Sequence, residues 1–354
     1  MKILLFILFC LMQFSSYADA ASKRQSADIS KRKGPVISTE TVKLSMDRPE
    51  YCLFGGQTGT PFYGPANYMM TIWKNHIIYI GESGGRQDYT AQRDTLKSMS
   101  MARGKKIVVA FGAMNKEIQP ILDEYISGGM TQEEFFAAMS GREDTNYDIT
   151  KYKEILDFIK EKELKALAIG LPADLVDAIE EYGEDNLSQE EKRLIPLSST
   201  DPHNTTYDNY IRKKLEDAAG KKITSDALRK HIHALAVLNE TMAKTLSEFI
   251  QEHPGYSALA IVDNERLIYA SGITLSAKNY LSSNSSDDSS GSENAEKTSI
   301  PYTTIVIKHA VSCPRRLPDS DKNLGGYVWY MDNTPLPENA ETDISSENGK
   351  EAKK

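Results

Sequence analysis

Five short, mostly apolar runs recur along the chain, each four or five residues long and rich in β-branched side chains. They are His76–Ile80, Ile107–Phe111, Ala166–Ile169, Ala258–Val262 and Thr303–Ile307. Continuous apolar runs of this length are typical of strands that are buried on both faces of a sheet. The pattern therefore predicts five interior strands.

Segments with the composition of helices separate these runs. They are Asp88–Arg103, Lys116–Ser127, Thr131–Met139, Thr150–Lys162, Ala173–Tyr182 and Ser225–Gln251. A hydroxyl followed three residues later by an acid, as in Thr131–Glu134 and Ser188–Glu191, is typical of a helix start. Strands that alternate with helices predict an α/β fold with a mainly parallel sheet and flanking helices. We expect the helices between the third and fourth strands to form a helical cap or insertion, or a flank.

The first twenty residues have the features of a secretory signal. Lys2 precedes an apolar run from Ile3 to Met12, and the triplet Ala18–Ala20 supplies a cleavage site of small residues. The run is about half as long as the roughly 20 residues that a membrane-spanning helix needs. We predict a signal peptide over residues 1–20 and an exported mature chain that begins at Ala21.

Three other segments lack a helical or strand period. Residues 21–48 mix Lys and Arg with Ser, Gly and Pro, which predicts a flexible basic linker. Residues 282–299 are almost all Ser, Asn, Asp, Glu and Gly, and an apolar run follows them, so they are expected to be a disordered insertion within a domain. The polar residues 332–354 predict a disordered tail. The α/β domain is therefore assigned to residues 49–331.

Composition argues against a nucleic-acid partner, and it does not decide whether the cysteines pair. The 354 residues include 42 Lys and Arg against 50 Asp and Glu, a net charge of -8, which argues against a nucleic-acid partner. Cys52 and Cys313 remain once the signal is removed, and in an oxidising compartment they could form a disulfide. We expect two separate buried thiols, because nothing in the sequence brings the two residues within bridging distance.

Small residues follow three of the predicted strands, where an open parallel sheet usually holds its ligand. Gly84, Gly112 and Gly170 stand at or just after these strand ends. They could clear a floor for a bulky ligand, or they could serve tight turns between strands and helices. Glu82 is the carboxylate fixed at such an end, so it is the first candidate for an acid that faces a ligand, with a solvated turn glutamate as the alternative.

Recognisable motifs for metal, phosphate or nucleophilic chemistry are missing from the sequence. The stretch Gly81–Gly85 lacks the spacing that phosphate-binding loops need. His231 and His233 lie two apart on a predicted helix, so their side chains diverge and cannot chelate one metal ion. Metal ligands therefore stay unassigned. Of the 18 tyrosines, most are expected to pack, although a tyrosinate can ligate ferric haem.

An ordered series of short motifs extends over roughly residues 50–330. They are Ile78–Glu82, Ile118–Tyr125, Glu133–Phe135, Tyr147–Asp148 with Tyr152, Leu171–Pro172, Asn239–Ala243 and Tyr327–Tyr330. In this order the series resembles the ChaN-like haem-binding uptake family of the Tiki superfamily. The resemblance implies an α/β protein of the bacterial cell envelope or periplasm that binds haem and takes part in iron uptake.

The chain departs from the family at most of its polar positions. Where the family usually has Gly-Glu-x-His, this chain reads Gly81–Gly84, and Gly112, Gly170 and Asn239 stand where two acids and an asparagine are usual. Of the polar constellation only Glu82 remains. A metal-dependent hydrolase needs about three protein ligands and an open position. We therefore predict that the protein is not an enzyme.

The leading hypothesis is an exported, non-catalytic protein that binds haem, or a similarly bulky hydrophobic cofactor, at the strand ends. Its expected contact residues are Glu82, Ser83, Gly84, Gly112, Gly170 and Asn239, with a tyrosine or histidine as the axial ligand. The alternative is a degenerate ChaN-like interaction or structural module with no small-molecule ligand. A homodimer and a partner protein in the envelope both stay open.

Overall fold

The computed structural model describes residues 52–62, 65–84, 88–140, 142, 148–196, 204–283 and 300–332. The predicted signal peptide, the linker, nearly all of the Ser-rich insertion and the tail beyond residue 332 lie outside the described residues, so those predictions stay untested. The same holds for the limits of the predicted domain. Among the described residues no helix is long and apolar enough to cross a membrane.

The described residues include eight strands, which form one sheet. In chain order they are β1 (Leu53–Gly55), β2 (Pro61–Phe62), β3 (Ile77–Glu82), β4 (Ile107–Asn115), β5 (Lys165–Gly170), β6 (Ser257–Asp263), β7 (Tyr302–Ala310) and β8 (Tyr327–Asp332). Their order across the sheet is β2-β1-β8-β7-β3-β6-β4-β5. The six strands from β8 to β5 are parallel, and β1 and β2 add an antiparallel edge. The predicted α/β fold with a mainly parallel sheet is confirmed.

Ten helices flank this sheet in the described part of the chain. They are α1 (Pro65–Lys74), α2 (Asp88–Arg103), α3 (Gln119–Ser127), α4 (Gln132–Ser140), α5 (Lys153–Glu161), α6 (Ala173–Tyr182), α7 (Gln189–Leu194), α8 (Thr205–Ala219), α9 (Ser225–Glu252) and α10 (Ile273–Ser283). The first five pack on one face of the sheet in one apolar core, and the last five pack on the other face in a second. The helices between β5 and β6 therefore flank the sheet.

The local signals for helix starts act as predicted. The Ser188 hydroxyl accepts a hydrogen bond from the Glu191 backbone N–H, and the Glu191 carboxylate accepts one from the Ser188 N–H. Thr131 and Glu134 form the same reciprocal pair. These bonds satisfy backbone donors that the first turn of a helix would otherwise leave unpaired.

Several elements have too weak a pattern to be found from sequence. The edge strands β1 and β2 are only three and two residues long. The helix α8 is rich in charged residues, and within it only Tyr207 and Ile211 are buried. A helix with so few buried positions has no continuous apolar stripe to detect.

Cys52 and Cys313 form a disulfide, with 2.10 Å between the sulfurs and 5.5 Å between the Cα atoms. The expectation of two separate thiols is therefore wrong. The physical reason is the strand order, because β1 pairs with β8 and β8 pairs with β7. This pairing brings the residue before β1 beside the segment after β7, and no local pattern reports it.

Candidate functional site

Glu82 is the last residue of β3, at the carboxyl edge of the parallel sheet. Its carboxylate accepts hydrogen bonds from the Tyr152 hydroxyl, with 2.6 and 2.8 Å to its two oxygens. The Gln92 amide on α2 donates to one of these oxygens at 3.3 Å and to the Gly81 carbonyl at 3.2 Å. The alternative of a solvated turn glutamate is therefore wrong, because Glu82 is largely buried and bound on two sides.

Burial is the largest influence on the pKa of Glu82. It raises the pKa of the carboxyl to about 7, since the charged form loses water, and the nearby Asp263 carboxylate adds to this shift. The hydrogen bond from Tyr152 opposes the shift because it stabilises the charged form. Glu82 therefore exchanges its proton near neutral pH, which is unusual for a glutamate.

Asp88, the first residue of α2, binds Ser83 just after the end of β3. It is fully buried, and one of its oxygens accepts a 2.7 Å hydrogen bond from the Ser83 backbone N–H. The Ser83 hydroxyl also donates to this carboxylate, at 3.1 and 3.2 Å. Nε2 of His309, near the end of β7, lies 2.8 Å from Asp88 Oδ1. Asp88 thus binds the residue that follows β3 and orients a histidine.

The second ring nitrogen of His309, Nδ1, is buried and has no hydrogen-bond partner among the described residues. The imidazole as a whole is mostly buried, with 16% of its side chain exposed. A carboxylate that binds one ring nitrogen usually fixes the tautomer and leaves the other nitrogen with a lone pair. The buried Nδ1 of His309 is therefore left unpaired at the carboxyl edge of the sheet.

Two tyrosines stand edge to face beside Glu82. The rings of Tyr89 and Tyr152 have centroids 5.5 Å apart and cross at 88°. Tyr152 is buried and its hydroxyl is bound to Glu82, whereas Tyr89 is half-buried and no described residue forms a hydrogen bond with its hydroxyl. Burial raises the pKa of Tyr89, and the nearby carboxylates of Glu82, Asp88 and Asp148 raise it further.

Asn239 lies on α9, across the sheet end from α2. It is buried, and its side-chain oxygen lies 3.5 Å from Nη1 of the buried Arg266. Arg266 in turn donates from Nε to Asp263 at 3.1 Å. Asp263 is the register partner of Glu82 on β6. The predicted site residues Asn239 and Glu82 are therefore connected through an arginine and an aspartate that sequence reasoning missed.

The glycines at the strand ends do not share one role. A Cβ on Gly84, where φ is +85°, would meet open space. A Cβ on Gly112 would lie 2.8 Å from Val262 Cγ1, and one on Gly170 would lie 2.4 Å from the Gly112 carbonyl oxygen. The expected floor cleared by Gly112 and Gly170 is therefore wrong. These two glycines are needed because backbone and side chains already fill the space beside them.

The sequence pattern predicts one member of this constellation, Glu82, and does not indicate most of the others. Asp88, Gln92 and His309 were not predicted as site residues. His309 lies two residues after the apolar run that ends at Ile307, so its position at a strand end was readable. Asp88 and Gln92 are separated by four residues on α2 and share a helix face, a weaker signal.

The described residues contain no group of three or more His, Cys, Asp or Glu that could hold a metal ion. His231 and His233 diverge as predicted, because His231 lies 2.8 Å from Glu180 and His233 lies 3.2 Å from Glu184. Both pairs join α9 to the segment around α6 and play no part at the strand ends.

A family profile for haem-binding uptake proteins, Tiki superfamily, ChaN, matches residues 69–275. The fold is similar to that of ChaN of Campylobacter jejuni, a structure of cofacial haem binding, with a TM-score of 0.56 and 12% identity over 78% of this chain and 95% of that one. The type III effector HopBA1 is 11% identical over 75% of this chain and 91% of its own, with a TM-score of 0.41. A protein of Bacillus cereus is 12% identical over 69% and 68%, with a TM-score of 0.36. None of the curated proteins matches the chain significantly.

Proposed function

The chain belongs to the ChaN family of haem-binding uptake proteins in the Tiki superfamily, and we propose that it binds haem at the carboxyl edge of its sheet. We further propose that it is exported and works in the cell envelope or periplasm without catalysing a reaction. Haem bound there would supply an iron that a side chain of the protein can ligate. The chain's own residues must then supply that ligand and the surface that holds the porphyrin.

The environment of Tyr89 is the main support for this proposal. Its ring is half-buried at the strand ends, and no described residue binds its hydroxyl. The neighbouring Tyr152 cannot serve in the same way, because its hydroxyl is bound to Glu82. A phenol with a free oxygen beside an apolar ring fits haem, since the oxygen can ligate ferric iron and the ring can pack on the porphyrin.

The carboxylates around Tyr89 set the conditions for this ligation. They oppose loss of the phenol proton in the free protein, which keeps Tyr89 neutral until a cation approaches. Ferric haem bound here would supply that positive charge, and the same carboxylates would favour its ferric form over the ferrous one. Tyr89 would then be the residue that gives up its phenol proton and holds the iron, with the carboxylates of Glu82, Asp88 and Asp148 nearby.

The absence of catalysis is proposed because the carboxylates at the site are already bound to neighbouring groups, and the unpaired ring nitrogen of His309 is buried. Tyr152 occupies both oxygens of Glu82, while Ser83 and His309 occupy Asp88. Asp263 binds Arg266. A hydrolytic site instead needs ligands or a base left free to meet a substrate or an activated water.

A hemin titration of the mature protein from Ala21 tests the proposal by the Soret band. We expect a saturable shift in the wild type and a loss of at least tenfold in affinity for Tyr89→Phe. Tyr182→Phe is the matched control, because Tyr182 lies exposed at the end of α6. Wild-type titration without saturation, or equal affinities for the wild type and Tyr89→Phe, would contradict the proposal.

Two further measurements test the remaining parts. Haem binding is cofacial in the Campylobacter jejuni protein, so the molar mass is measured with and without hemin, and a dimer that forms with hemin is expected. For export, the amino terminus of the protein produced from the full chain is sequenced, and Ala21 is expected as its first residue. If hemin does not bind, the degenerate interaction module without a small-molecule ligand becomes the better description.

A further inference from the structure

A cleft of about 600 Å³ opens at the other end of β7 from His309. It lies between the start of α8, the turn that leads into α10, and the amino ends of β7 and β8. Its lining includes Asn204, Thr274, Tyr302 and Asn323. The volume falls within the range of roughly 300–1,000 Å³ that is typical of small-molecule sites.

The lining is nearly neutral, and it is about equally polar and apolar. Its polar side chains are mainly hydroxyls and amides, among them those of Gln57, Thr206, Thr303 and Asn323. Lys322 is the one charged side chain that lines the cleft in the described part of the chain, and its ammonium lies 2.7 Å from the Asp319 carboxylate. A phosphate or carboxylate ligand would need an unpaired cation, so this lining favours a neutral ligand with many hydroxyl groups.

Two aromatic rings contribute to the apolar surface of the cleft. Tyr302 is 40% exposed, and its ring packs edge-on against Tyr79 with centroids 6.0 Å apart. The ring of Tyr269 packs edge-on against Tyr210 in the same way, at 6.2 Å. Each ring is thus held by a second aromatic residue, so it can offer a face to a ligand at little further cost in side-chain entropy.

Three non-glycine residues of the lining have left-handed backbone conformations. The φ angles are 56° at Tyr269, 55° at Ala270 and 62° at Asn323. Such conformations are unfavourable for residues with a side chain, and they cluster at ligand sites. Two of them are successive residues in one wall, the segment before α10, and the third lies in a second wall, the segment before β8.

Hydrogen bonds hold this conformation in place. The Tyr269 backbone N–H donates to the Leu324 carbonyl at 3.0 Å, which joins the two walls. The Asn204 amide donates to the Ser271 hydroxyl at 2.8 Å, while the Asn204 oxygen caps α8 through the Thr206 N–H. Hydrogen bonds thus tie the segment around Tyr269 and Ser271 to the residues on either side of the cleft.

We propose that this cleft binds a neutral sugar of one or two units. Sugar hydroxyls match amide and hydroxyl side chains as both donors and acceptors, and the C–H face of a pyranose matches an aromatic ring. No charge is needed on either side. The site is separate from the proposed haem site, because Tyr302 and His309 stand seven residues apart on one strand, roughly 23 Å.

Saturation-transfer NMR and calorimetry on the mature protein test the proposal with four probes. The probes are glucose, N-acetylglucosamine, cellobiose and diacetylchitobiose. We expect saturable binding of at least one of them to the wild type. If none of the four binds saturably, the proposal is wrong.

Two variants then assign the binding to the cleft. Asn323→Gly removes the amide while glycine adopts the positive φ without strain, so the fold should be kept. Tyr302→Ala removes the exposed ring. Each variant should lower the affinity for the sugar about tenfold, which is the effect of losing one good contact. The matched control Tyr182→Ala removes an exposed ring elsewhere and should leave the affinity unchanged.

The hemin titration separates this proposal from the preceding one. Asn323→Gly should leave the Soret titration unchanged, and Tyr89→Phe should leave the sugar affinity unchanged. Equal sugar affinities for the wild type, Asn323→Gly and Tyr302→Ala would place the sugar outside the cleft and overturn the proposal, whatever the outcome with hemin.

Discussion

The Tyr152 hydroxyl donates to the Glu82 carboxylate across 70 residues of sequence, with 2.6 and 2.8 Å to its two oxygens. Tyr152 ends a short turn before α5, and Glu82 ends β3, so the bond ties a flanking element to the carboxyl edge of the sheet. It is made in a largely buried place where the charged carboxylate is poorly solvated. The pair therefore holds the turn before α5 at the sheet edge, and Glu82 has a pKa of about 7.

The first prediction concerns stability as a function of pH in Glu82→Gln. The pKa of Glu82 is about 7 in the folded protein, against an ordinary value of 4.5. A raised folded pKa means that the contribution of Glu82 is fully present below 4.5 and is lost as the pH rises through 7. Wild-type stability should therefore fall relative to Glu82→Gln by about 2 kcal/mol between pH 5 and pH 8. Urea unfolding at both pH values measures this difference.

Tyr152→Phe serves as the control for this prediction. The lost hydrogen bond is the largest influence that lowers the pKa of Glu82, so its removal should move the titration to higher pH. The window of lost stability should then shift upward as well. A constant difference between wild type and Glu82→Gln across the whole range would show that Glu82 titrates normally.

Local pattern predicts most of the sheet and little of the site. The strands β3, β4 and β6 were readable because a strand buried on both faces must be apolar throughout. The contact between Asp88 and His309 spans 221 residues, and no periodicity reports it. Glu82 was found because it ends an apolar run, whereas its partner Tyr152 depends on how α5 packs. Side-chain partners across the sheet edge follow from strand order, which a single sequence does not fix.

The second prediction concerns the disulfide. Cys52 and Cys313 are 261 residues apart in sequence, so the bond closes nearly the whole described chain into one loop. Loops this long restrict the unfolded chain strongly, and loss of such a bond typically costs about 2–5 kcal/mol. The double variant Cys52→Ser/Cys313→Ser should lose this much stability in urea unfolding, without leaving a free thiol.

Reduction of the wild type is the comparison for that measurement. A reductant should lower the stability of the wild type to that of the double variant and should have no effect on the double variant itself. Equal stability of the oxidised wild type and the double variant would show that the loop is already restricted in the unfolded chain.

The third prediction compares two glycines of the strand ends. A Cβ at Gly170 would lie 2.4 Å from the Gly112 carbonyl oxygen, where β4 has an irregular register against β5. Gly170→Ala should therefore destabilise by about 2–3 kcal/mol, because backbone must move. Gly84→Ala meets open space and should cost only about 1 kcal/mol, from its positive φ. Urea unfolding measures the stability of both variants. A larger loss of stability in Gly84→Ala than in Gly170→Ala would contradict the assigned roles.

The last prediction concerns a side chain that crosses the end of β3. Asn264 follows β6, and its amide donates to the Ile307 carbonyl at 2.6 Å while its oxygen accepts from the Ile307 N–H at 3.0 Å. β3 lies between those two strands, and a Cβ on Gly81 would lie 1.8 Å from the Asn264 oxygen. Gly81 therefore leaves the space through which Asn264 binds β7.

Asn264→Ala should cost about 2–3 kcal/mol, because it leaves two buried backbone groups of Ile307 without partners. Gly81→Ala should cost a similar amount by displacing the same side chain. The double variant should then be no less stable than either single one, since an alanine at 264 vacates the space that the Gly81 Cβ needs. Unfolding free energies of the four proteins form a double-mutant cycle, and additive losses would show that Gly81 and Asn264 act independently.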